Sequence, residues 1–521
     1  MKFKIPVYIF LLILPVSLIF IEFLLSYARG PFWLLTNVDP TYAYLIYMLD
    51  LIKNGKTMGF QHPGITIQLL GVIILKVVHF FRHTSTAIEF DVLGNPEIYL
   101  HAISYFIIVF IGVILFISGK IVYTFTQNLW MAFLMQLIPF IFMKNLMVIS
   151  YVCPEPLMII TILLFSVVII IIASNKDENK TDFYIYLLAF IAGFGLATKL
   201  LFLPFIFIPL FIMKKGKSIF IYFLIIAFIF LIWTIPIIPQ YKLMFLWLKK
   251  ILTHKGLYGV GDYELFNSTK YFQNIITIFK TNLVFLFFFI SSFIFIFINK
   301  ASKRLREISN NQKTFKLLCG VLVCQFVSVL LIAKHYSGNH YMIASSCFSG
   351  LTIVLIILYL TQINELFRIN ISGLINKLLI IIFIFIIIRI IMIYNIYTCF
   401  KKINTEAHLV HNKALIEFSD YAKVYYYRSS SVEFGLLFAI VCSKSVFADE
   451  LRLLYGEIIY YDKVKRKFYT WDHGISIENL KKYSQNKLIF QGKPLNVDEL
   501  PIEFKLKEIY KGNWEMIYKA E

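Results

Sequence analysis

Residues 154–173 read PEPLMIITILLFSVVIIIIA, an apolar run with a single acid near its start. A helix of this length spans roughly 30 Å of bilayer hydrocarbon. With 59% hydrophobic and only 15% charged residues, the whole chain is too apolar for a soluble domain. We predict an all-α polytopic membrane protein with eleven spans, near 6–27, 98–117, 128–146, 154–173, 184–198, 200–213, 218–238, 281–298, 317–333, 341–360 and 378–397.

One further apolar stretch, 65–82, decides the topology, and the basic residues of the short loops indicate whether it crosses the membrane. If it does not cross, sixteen Lys and Arg residues of these loops lie on the side of the N-terminus. If it crosses, all of them except Lys2 and Lys4 move to the opposite side. The positive-inside rule therefore favours an interfacial or re-entrant helix at 65–82 on the outer side, with the N-terminus inside.

The chain changes character after residue 397. Residues 398–521 mix charged and apolar residues and contain no run long enough to span a membrane. Their number suffices for a small soluble domain, and their Lys and aromatic content fits contact with anionic lipid headgroups. We predict a transmembrane domain at 1–397, with outer loops at 28–97 and 239–280, followed by a small extracytoplasmic α/β domain at 398–521.

Polar residues gather at the predicted outer face. The first outer loop contains NVDPTYAY at 37–44 and QHPG at 61–64, and all ten histidines of the chain lie at or near this face. The other polar elements there are CPEP at 153–156, Thr198-Lys199, the glycine-rich HKGLYGVGDY at 254–263 and KHYSGNHY at 334–341. This concentration indicates chemistry at one membrane face.

Each of these residues also has a structural interpretation. Asp39 suits the N-cap of a helix over 41–55, and Glu155 suits the first turn of a helix, where the helix dipole stabilises a carboxylate. Lys199 fits a snorkelling interfacial lysine, and Tyr42 fits an interfacial-belt aromatic. The residue types alone leave both interpretations open.

The net charge of +20 does not indicate nucleic acid as a partner, because much of it is the loop bias that orients the spans. Membrane phosphates are the better partners for this charge. The chain has no Walker sequence to bind a nucleotide, so the energy for a reaction at the outer face has to arrive in the substrate. A lipid-linked activated donor meets that requirement.

The order of these motifs resembles that of the membrane glycosyltransferases of the GT-C class. An acid in the first outer loop is followed by an amphipathic helix at 41–55, by His62-Pro63-Gly64, by Pro154-Glu155 and by Thr198-Lys199. More narrowly, residues 1–360 resemble the protein mannosyltransferase and aminoarabinose transferase relatives that use polyprenyl-phosphate sugars. The resemblance implies a donor of that kind and a lipid, glycan or protein acceptor. The Ile, Phe, Lys and Asn bias favours a bacterial cytoplasmic membrane, with the site facing outward.

The resemblance also implies roles for individual residues. In an inverting transfer, Asp39 is the base that removes a proton from the acceptor as its oxygen attacks the anomeric carbon. The candidate substrate-binding residues are Tyr42, His62, Glu155, Lys199, His254, His335, His340 and Tyr341. Many relatives have two adjacent acids in the first loop, whereas Asp39 is followed by Pro40. One carboxylate gives a hard cation a single anionic ligand, so we predict no cofactor and leave a divalent metal open through Glu155.

Two other functions remain open. A transporter or flippase for a lipid-linked glycan would also need many spans, but transporters commonly show internal repeats around a midplane site, and this chain shows no convincing repeat. A glycan polymerase or ligase at the same face would hold its site in loop 239–280. That alternative leaves Asp39 dispensable, whereas the glycosyltransferase interpretation requires it.

Overall fold

The structure, a computed structural model, describes the backbone of residues 7–34, 37–175, 180–256, 259–301, 312–367, 372–443, 446–462, 465–484, 487–494 and 504–521. Side chains are described at these positions except 364–386, 442, 483 and 484. Most of this part of the chain is helical, and a seven-stranded sheet lies towards its C-terminal end.

Ten α-helices form most of the described chain from Val7 to Thr198. The helices are α1 (Val7–Arg29), α2 (Val38–Asn54), α3 (Ile65–Arg82), α4 (Ile88–Gly94), α5 (Pro96–Thr126), α6 (Leu129–Gln136), α7 (Ile138–Ile141), α8 (Met143–Ile149), α9 (Pro154–Ser174) and α10 (Thr181–Thr198). The predicted span 128–146 is therefore wrong as a single helix. Pro139 opens α7, and Phe142 is extended between α7 and α8, so the apolar run breaks into three pieces.

The next part of the chain alternates α-helices with 3-10 helices. Its elements are a 3-10 helix (Leu200–Phe211), α11 (Gly216–Thr234), a 3-10 helix (Ile235–Gln240), α12 (Tyr241–Thr253), α13 (Ser268–Thr281), α14 (Leu283–Ala301), α15 (Lys313–Ala333), a 3-10 helix (Asn339–Met342) and α16 (Ile343–Phe367). The predicted break at Thr198-Lys199 is confirmed, because Lys199 is extended between α10 and the first 3-10 helix. Pro204 and Pro209, which lack an N–H group, interrupt the hydrogen bonding of that helix.

Nine helices among the described residues are long and apolar enough to cross a membrane. They are Val7–Arg29, Ile65–Arg82, Pro96–Thr126, Pro154–Ser174, Thr181–Thr198, Gly216–Thr253, Leu283–Ala301, Lys313–Ala333 and Asn339–Ile363. The prediction of a polytopic helical membrane protein is confirmed, but the predicted set of eleven spans is not. Ile65–Arg82, predicted not to cross, is among the nine, and the predicted span 200–213 is the shorter helix Leu200–Phe211. The predicted span 378–397 begins at positions whose side chains lie outside the described residues.

The last helix of the bundle, α17 (Ser372–Ile416), continues into the C-terminal domain without a break. Near its middle, Arg389 donates a hydrogen bond to the carbonyl of Ile141 in the bundle. Further on, Glu406 accepts a 2.7 Å hydrogen bond from the backbone N–H of Trp514 in the domain. The domain boundary predicted between residues 397 and 398 falls inside this helix.

The C-terminal domain is a mixed α/β fold, as predicted. Its elements are β1 (Ala422–Tyr426), α18 (Val432–Cys442), α19 (Ala448–Tyr455), β2 (Ile459–Asp462), β3 (Lys467–Tyr469), β4 (Gly474–Ile475), α20 (Ile477–Ser484), β5 (Leu488–Gly492), β6 (Leu506–Lys511) and β7 (Met516–Ala520). The strand order is β4-β3-β2-β1-β5-β7-β6, with β1 parallel to β2 and β5 and the other pairs antiparallel. The chain leaves β1 towards β2 and later returns to β5 on the other side, so the order reverses at β1.

The C-terminal domain rests on α2, which touches it near both ends. Near the start of α2, the ring of Tyr42 lies so close to Gly435 of α18 that an added Cβ would be 2.9 Å away. At the other end, Lys53 forms an ion pair with Glu450 of α19. Helix α2 therefore lies along one face of the bundle, and we call the face that carries this domain the domain face.

The stretch predicted as an interfacial helix is α3, and both of its ends lie at the domain face. At its start, Thr66 Oγ1 donates a 2.9 Å hydrogen bond to Thr198 Oγ1, at the end of α10. At its end, Arg82 forms a bidentate pair with Asp91 of α4, through two hydrogen bonds of 3.0 Å. Helix α4 packs in turn against α19 of the C-terminal domain. Helix α3 is also long and apolar enough to cross a membrane, so its interfacial placement stays a prediction.

Candidate functional site

The candidate site forms where the start of α3 meets the end of α10. Pro63 and Lys199 pair as an isolated antiparallel bridge, and the backbone N–H of Leu200 donates a 2.8 Å hydrogen bond to the carbonyl of His62. The His-Pro-Gly element of the first loop is thereby fixed beside the Thr-Lys element, although well over a hundred residues separate them. Two of the predicted motifs thus lie together.

A buried ion pair joins the third motif to this junction. Lys199 donates a hydrogen bond to Glu155, which lies in the first turn of α9. Only 4% of Lys199 and 8% of Glu155 is exposed. Glu155 does lie where a helix dipole stabilises a carboxylate, but its main partner is the Lys199 ammonium. Lys199 is buried in this pair and is therefore not a snorkelling interfacial lysine. The amine also lies 6.0 Å from the centre of the Tyr341 ring, within reach of a cation–π contact.

Two histidines complete this cluster. His62 has a φ of +94°, in a region that side chains rarely adopt, and its ring packs edge-on against Trp247 at 5.2 Å. Burial, followed by the nearby Lys199 ammonium, lowers the pKa of His62 to about 3, so this imidazole is neutral near pH 7. His340 lies within electrostatic reach of Lys199 and Glu155, and its ring packs at a tilt against that of Tyr341, with the ring centres 4.1 Å apart.

Tyr44 connects the cluster to Asp39. Its hydroxyl acts electrostatically with both the Glu155 and the Asp39 carboxylates. It also lies 2.6 Å from the point where a Cβ on Gly64 would be, and Gly64 has a φ of +63°. Only glycine fits there without moving the tyrosine, which accounts for the last residue of the His-Pro-Gly element.

The Asp39 side chain is accessible to small molecules, although protein surrounds much of it. Its backbone is extended (φ −96°, ψ 123°) just before the helical part of α2. Burial raises the pKa of this carboxyl above its usual range, and the Arg428 guanidinium opposes that rise. Among the described residues, no side-chain hydrogen bond or ion pair engages Asp39, and the start of α2 has no side-chain cap. The N-cap role considered for Asp39 is therefore not used in this structure.

An apolar cavity of about 210 Å³ adjoins the polar cluster. Its lining is mostly aliphatic and aromatic, with the histidines and Tyr341 at its polar edge: His62, Leu200, Leu201, Pro204, Trp247, Leu248, Ile251, Ser328, Leu331, Ile332, His335 and Tyr341. The cavity lies between the first 3-10 helix, α12 and α15, so its walls come from membrane helices and from the loop predicted at 239–280. It suits a flexible apolar chain whose polar end reaches the cluster.

Three predicted site residues lie elsewhere or are engaged in the fold. Tyr42 is fully buried and donates a 2.8 Å hydrogen bond to Glu97, so its place in a substrate site stays a prediction that its burial does not favour. His335 lines the apolar cavity, where its Nε2 lies 2.6 Å from the carbonyl of Ile251. His254 lines a neighbouring small cavity that shares His335.

Two cations that the sequence analysis did not select lie near the site. Lys144, in the first turn of α8, acts electrostatically on His340. It was placed inside an uninterrupted apolar span, yet a charge within such a run is itself a signal of function. Arg428 follows β1 in the C-terminal domain and acts on Asp39, and nothing near it in the sequence indicates this proximity.

The arrangement offers cations, an exposed carboxylate and an apolar cavity, and Tyr44 interacts with both Asp39 and Glu155 between them. The ammonium groups of Lys144 and Lys199 supply positive charge, and Asp39 is an accessible base. Within the described part of the chain, no group of three or more His, Cys, Asp or Glu side chains could hold a metal ion. The chain matches no protein family, no curated protein and no solved structure.

Proposed function

We propose that this membrane protein is a glycosyltransferase that moves a sugar from a polyprenyl-phosphate donor to a lipid, glycan or protein acceptor. One observation carries the proposal. The Asp39 carboxylate is exposed and has no hydrogen-bond or ion-pair partner among the described residues. The neighbouring Tyr44 also interacts with Glu155, whose partner Lys199 belongs to the cluster beside an apolar cavity. A base, a site for the phosphate and an apolar cavity for the first part of the lipid chain are what this reaction needs.

The polyprenyl chain of the donor occupies the apolar cavity, and its phosphate lies at the polar edge. Lys144 and Lys199 stabilise the phosphate by charge, and Tyr341 lines the passage between the two regions. Glu155 holds Lys199 in place by their ion pair. His62 is neutral near pH 7 and lines the cavity next to Trp247, so it shapes the polar edge where the phosphate lies.

The reaction follows from this placement. Asp39 takes the proton of the acceptor hydroxyl as that oxygen attacks the anomeric carbon of the sugar. The bond from the anomeric carbon to the phosphate oxygen breaks on the opposite side, and the lipid phosphate leaves with the electron pair. The configuration at the anomeric carbon inverts, and no external energy source is needed because the leaving phosphate makes the donor reactive.

We place this reaction at the outer face of a bacterial cytoplasmic membrane, where the loop charges orient the domain face. The polar residues of the site gather at that one face. A transporter would be expected to bind its substrate near the membrane midplane, so the glycosyltransferase interpretation accounts better for this distribution.

The test compares cells that carry Asp39→Asn with wild-type, deletion and Asp50→Asn cells. Asp50 is the matched control, because it lies on the same helix and is engaged by Asn54 at 2.7 Å. Glycans and lipids are measured by mass spectrometry, and the amount of protein in the membrane is checked for each variant. We expect Asp39→Asn and the deletion to lose the same single-sugar mass increment, and Asp50→Asn to retain it. If Asp39→Asn restores the glycans of the deletion strain, the assignment of Asp39 is wrong and the polymerase, ligase or transporter alternatives become stronger.

A further inference from the structure

Two helices, α12 and α13, lie where the chain passes from one candidate membrane span to the next. Helix α12 continues from α11, and the two belong to one helical segment of 38 residues, Gly216–Thr253. At 1.5 Å per residue this segment is about 57 Å long, whereas the hydrocarbon of a bilayer is roughly 30 Å thick. Part of the segment therefore lies outside the hydrocarbon, and the 3-10 helix with Pro236 and Pro239 separates α12 from α11. Helix α13 ends just before the next candidate span, Leu283–Ala301.

Helix α13 is fixed beside the end of the candidate span α15. The Tyr271 hydroxyl donates a 2.9 Å hydrogen bond to the carbonyl of Leu330, and the Asn274 side chain donates a 2.7 Å hydrogen bond to the carbonyl of Ala333. Ala333 is the last residue of α15. Helix α13 therefore lies at the depth where a spanning helix ends and hydrocarbon gives way to lipid headgroups.

Helix α12 is fixed at the same depth. Lys334, the residue after α15, donates a hydrogen bond to the carbonyl of Leu252, and His335 Nε2 lies 2.6 Å from the carbonyl of Ile251. The inward side of α12 lines the apolar cavity through Trp247 and Ile251. The outward side of this helix therefore lies at the membrane surface, directly behind the cavity wall.

The outward surface of α13 divides into an apolar stripe and a polar stripe. Phe272 and Ile276 are four residues apart, so they are neighbours on one face, and more than half of each is exposed. Lys270, Gln273 and Thr277 follow a spacing of three and four residues, and all three are exposed on the adjoining face. A helix with an exposed apolar stripe beside lysines is typical of one that lies along a membrane interface.

Helix α12 has the same division of its outward surface. Phe245 and Leu252 are seven residues apart on one face, and more than half of each is exposed. Lys242 and Lys249, also seven residues apart, form an exposed basic stripe beside them. In the part of the chain that the structure describes, no ion pair engages these two lysines or Lys270 of α13.

The charge of this region indicates what covers its outward surface. Residues 239–280 contain six lysines and only two acids. The apolar stripes favour an apolar surrounding, whereas the lysines beside them favour anions. The interface of an anionic lipid leaflet supplies acyl chains and phosphate groups at adjoining depths, so it matches both stripes of each helix.

We propose that α12 and α13 lie in the membrane interface and bind the headgroups of anionic phospholipids through their exposed lysines. Phe245 and Leu252 of α12, with Phe272 and Ile276 of α13, lie among the acyl chains. Because α12 is also a wall of the apolar cavity, the headgroups bound to it lie beside that cavity. The inference does not depend on the proposed function.

The test measures lipid contact directly and requires no activity. Full-length protein is reconstituted in phosphatidylcholine nanodiscs that contain a small fraction of a lipid with a diazirine near the start of one acyl chain. This probe is either phosphatidylglycerol, which is anionic, or phosphatidylcholine, which has no net charge. After illumination, mass spectrometry measures the labelling of α12 and α13 peptides relative to Leu283–Ala301. The double variant Lys249→Gln with Lys270→Gln is compared with Lys467→Gln with Lys511→Gln, which removes two exposed lysines from the C-terminal sheet.

We expect the phosphatidylglycerol probe to label α12 and α13 at least about threefold more than the phosphatidylcholine probe. This ratio should fall towards one in the Lys249 and Lys270 double variant and stay unchanged in the control variant. High salt should also lower the ratio in wild type, a measurement that replaces the double variant if it does not fold.

Two results would overturn the proposal. Equal labelling of α12 and α13 by the two probes would reject the binding of anionic headgroups. Labelling of Leu283–Ala301 without labelling of α12 and α13 by either probe would show that water or another protein covers these helices. Neither result bears on Asp39, so the proposed function is tested separately.

Discussion

The ion pair of Glu155 and Lys199 gives a quantitative test of the candidate site. Both side chains are buried, and the Glu155 carboxylate and the Lys199 ammonium lie within hydrogen-bond distance of each other. Two unit charges 4 Å apart attract by about 4 kcal/mol when the effective dielectric constant is near 20. Removing one partner leaves the other charge buried and unpaired, which typically costs about 3–5 kcal/mol. We therefore expect Glu155→Gln and Lys199→Met each to lower the free energy of unfolding by that amount.

The double variant should cost clearly less than the two single changes added together, because no charge is left unpaired. We expect a coupling free energy of at least about 2 kcal/mol. The assay is unfolding in mixed micelles titrated with dodecyl sulfate, followed by tryptophan fluorescence. The control cycle uses Lys53→Met and Glu450→Gln, whose pair is partly exposed (38% and 16%) and should couple by no more than about 1 kcal/mol. If the Glu155 and Lys199 changes are additive within about 0.5 kcal/mol, the buried ion pair does not exist as described.

Two further predictions address the cavity and the histidine. Ile332 lines the apolar cavity and is only 6% exposed, so Ile332→Trp should raise the KM for a polyprenyl-phosphate donor at least about tenfold. Val323→Trp, 48% exposed on the same helix and outside the cavity lining, should not. Equal effects would show that the cavity does not bind the lipid. The pKa of His62 is about 3 in the folded protein against an ordinary value of 6.5, so below pH 6.5 the unfolded chain takes up a proton that the folded protein does not. The free energy of unfolding should therefore fall as the pH is lowered from 6.5 to 4, by up to about 1.4 kcal/mol per pH unit. In micelle unfolding, His62→Gln should make this dependence on pH less steep. The same dependence in wild type and variant would contradict the described burial of His62.

The sequence predicted the membrane bundle well because length and apolar composition are sufficient to identify a spanning helix. It also located the interruption at Thr198-Lys199, where two polar residues divide an apolar run. It missed the breaks at Pro139 and Phe142. Pro139 was a signal of a helix break that the length of the apolar run outweighed, whereas nothing in the residue type of Phe142 indicates its extended backbone. The continuity of Ser372–Ile416 was missed for a related reason: the composition changes near residue 398, but the helix does not end there.

The site was predictable in its composition and not in its connections. His62, Glu155, Lys199 and His340 were expected at one face, and the structure brings these side chains together. Their contacts depend on the tertiary structure, because they form where the starts of α3 and α9 meet the end of α10. Arg428 lay beyond sequence reasoning altogether, since a lone arginine after a short strand resembles any surface residue.

Helix α17 gives the C-terminal domain a fixed rotational phase relative to the membrane bundle. Arg389, bonded to the bundle, and Glu406, bonded to the domain, are 17 positions apart on one helix, a rise of about 25 Å without a break. Each residue added or removed in that interval would turn the domain by about 100° and shift it by about 1.5 Å. The number of residues in this part of the helix, more than their identity, therefore determines which side of the domain faces α2.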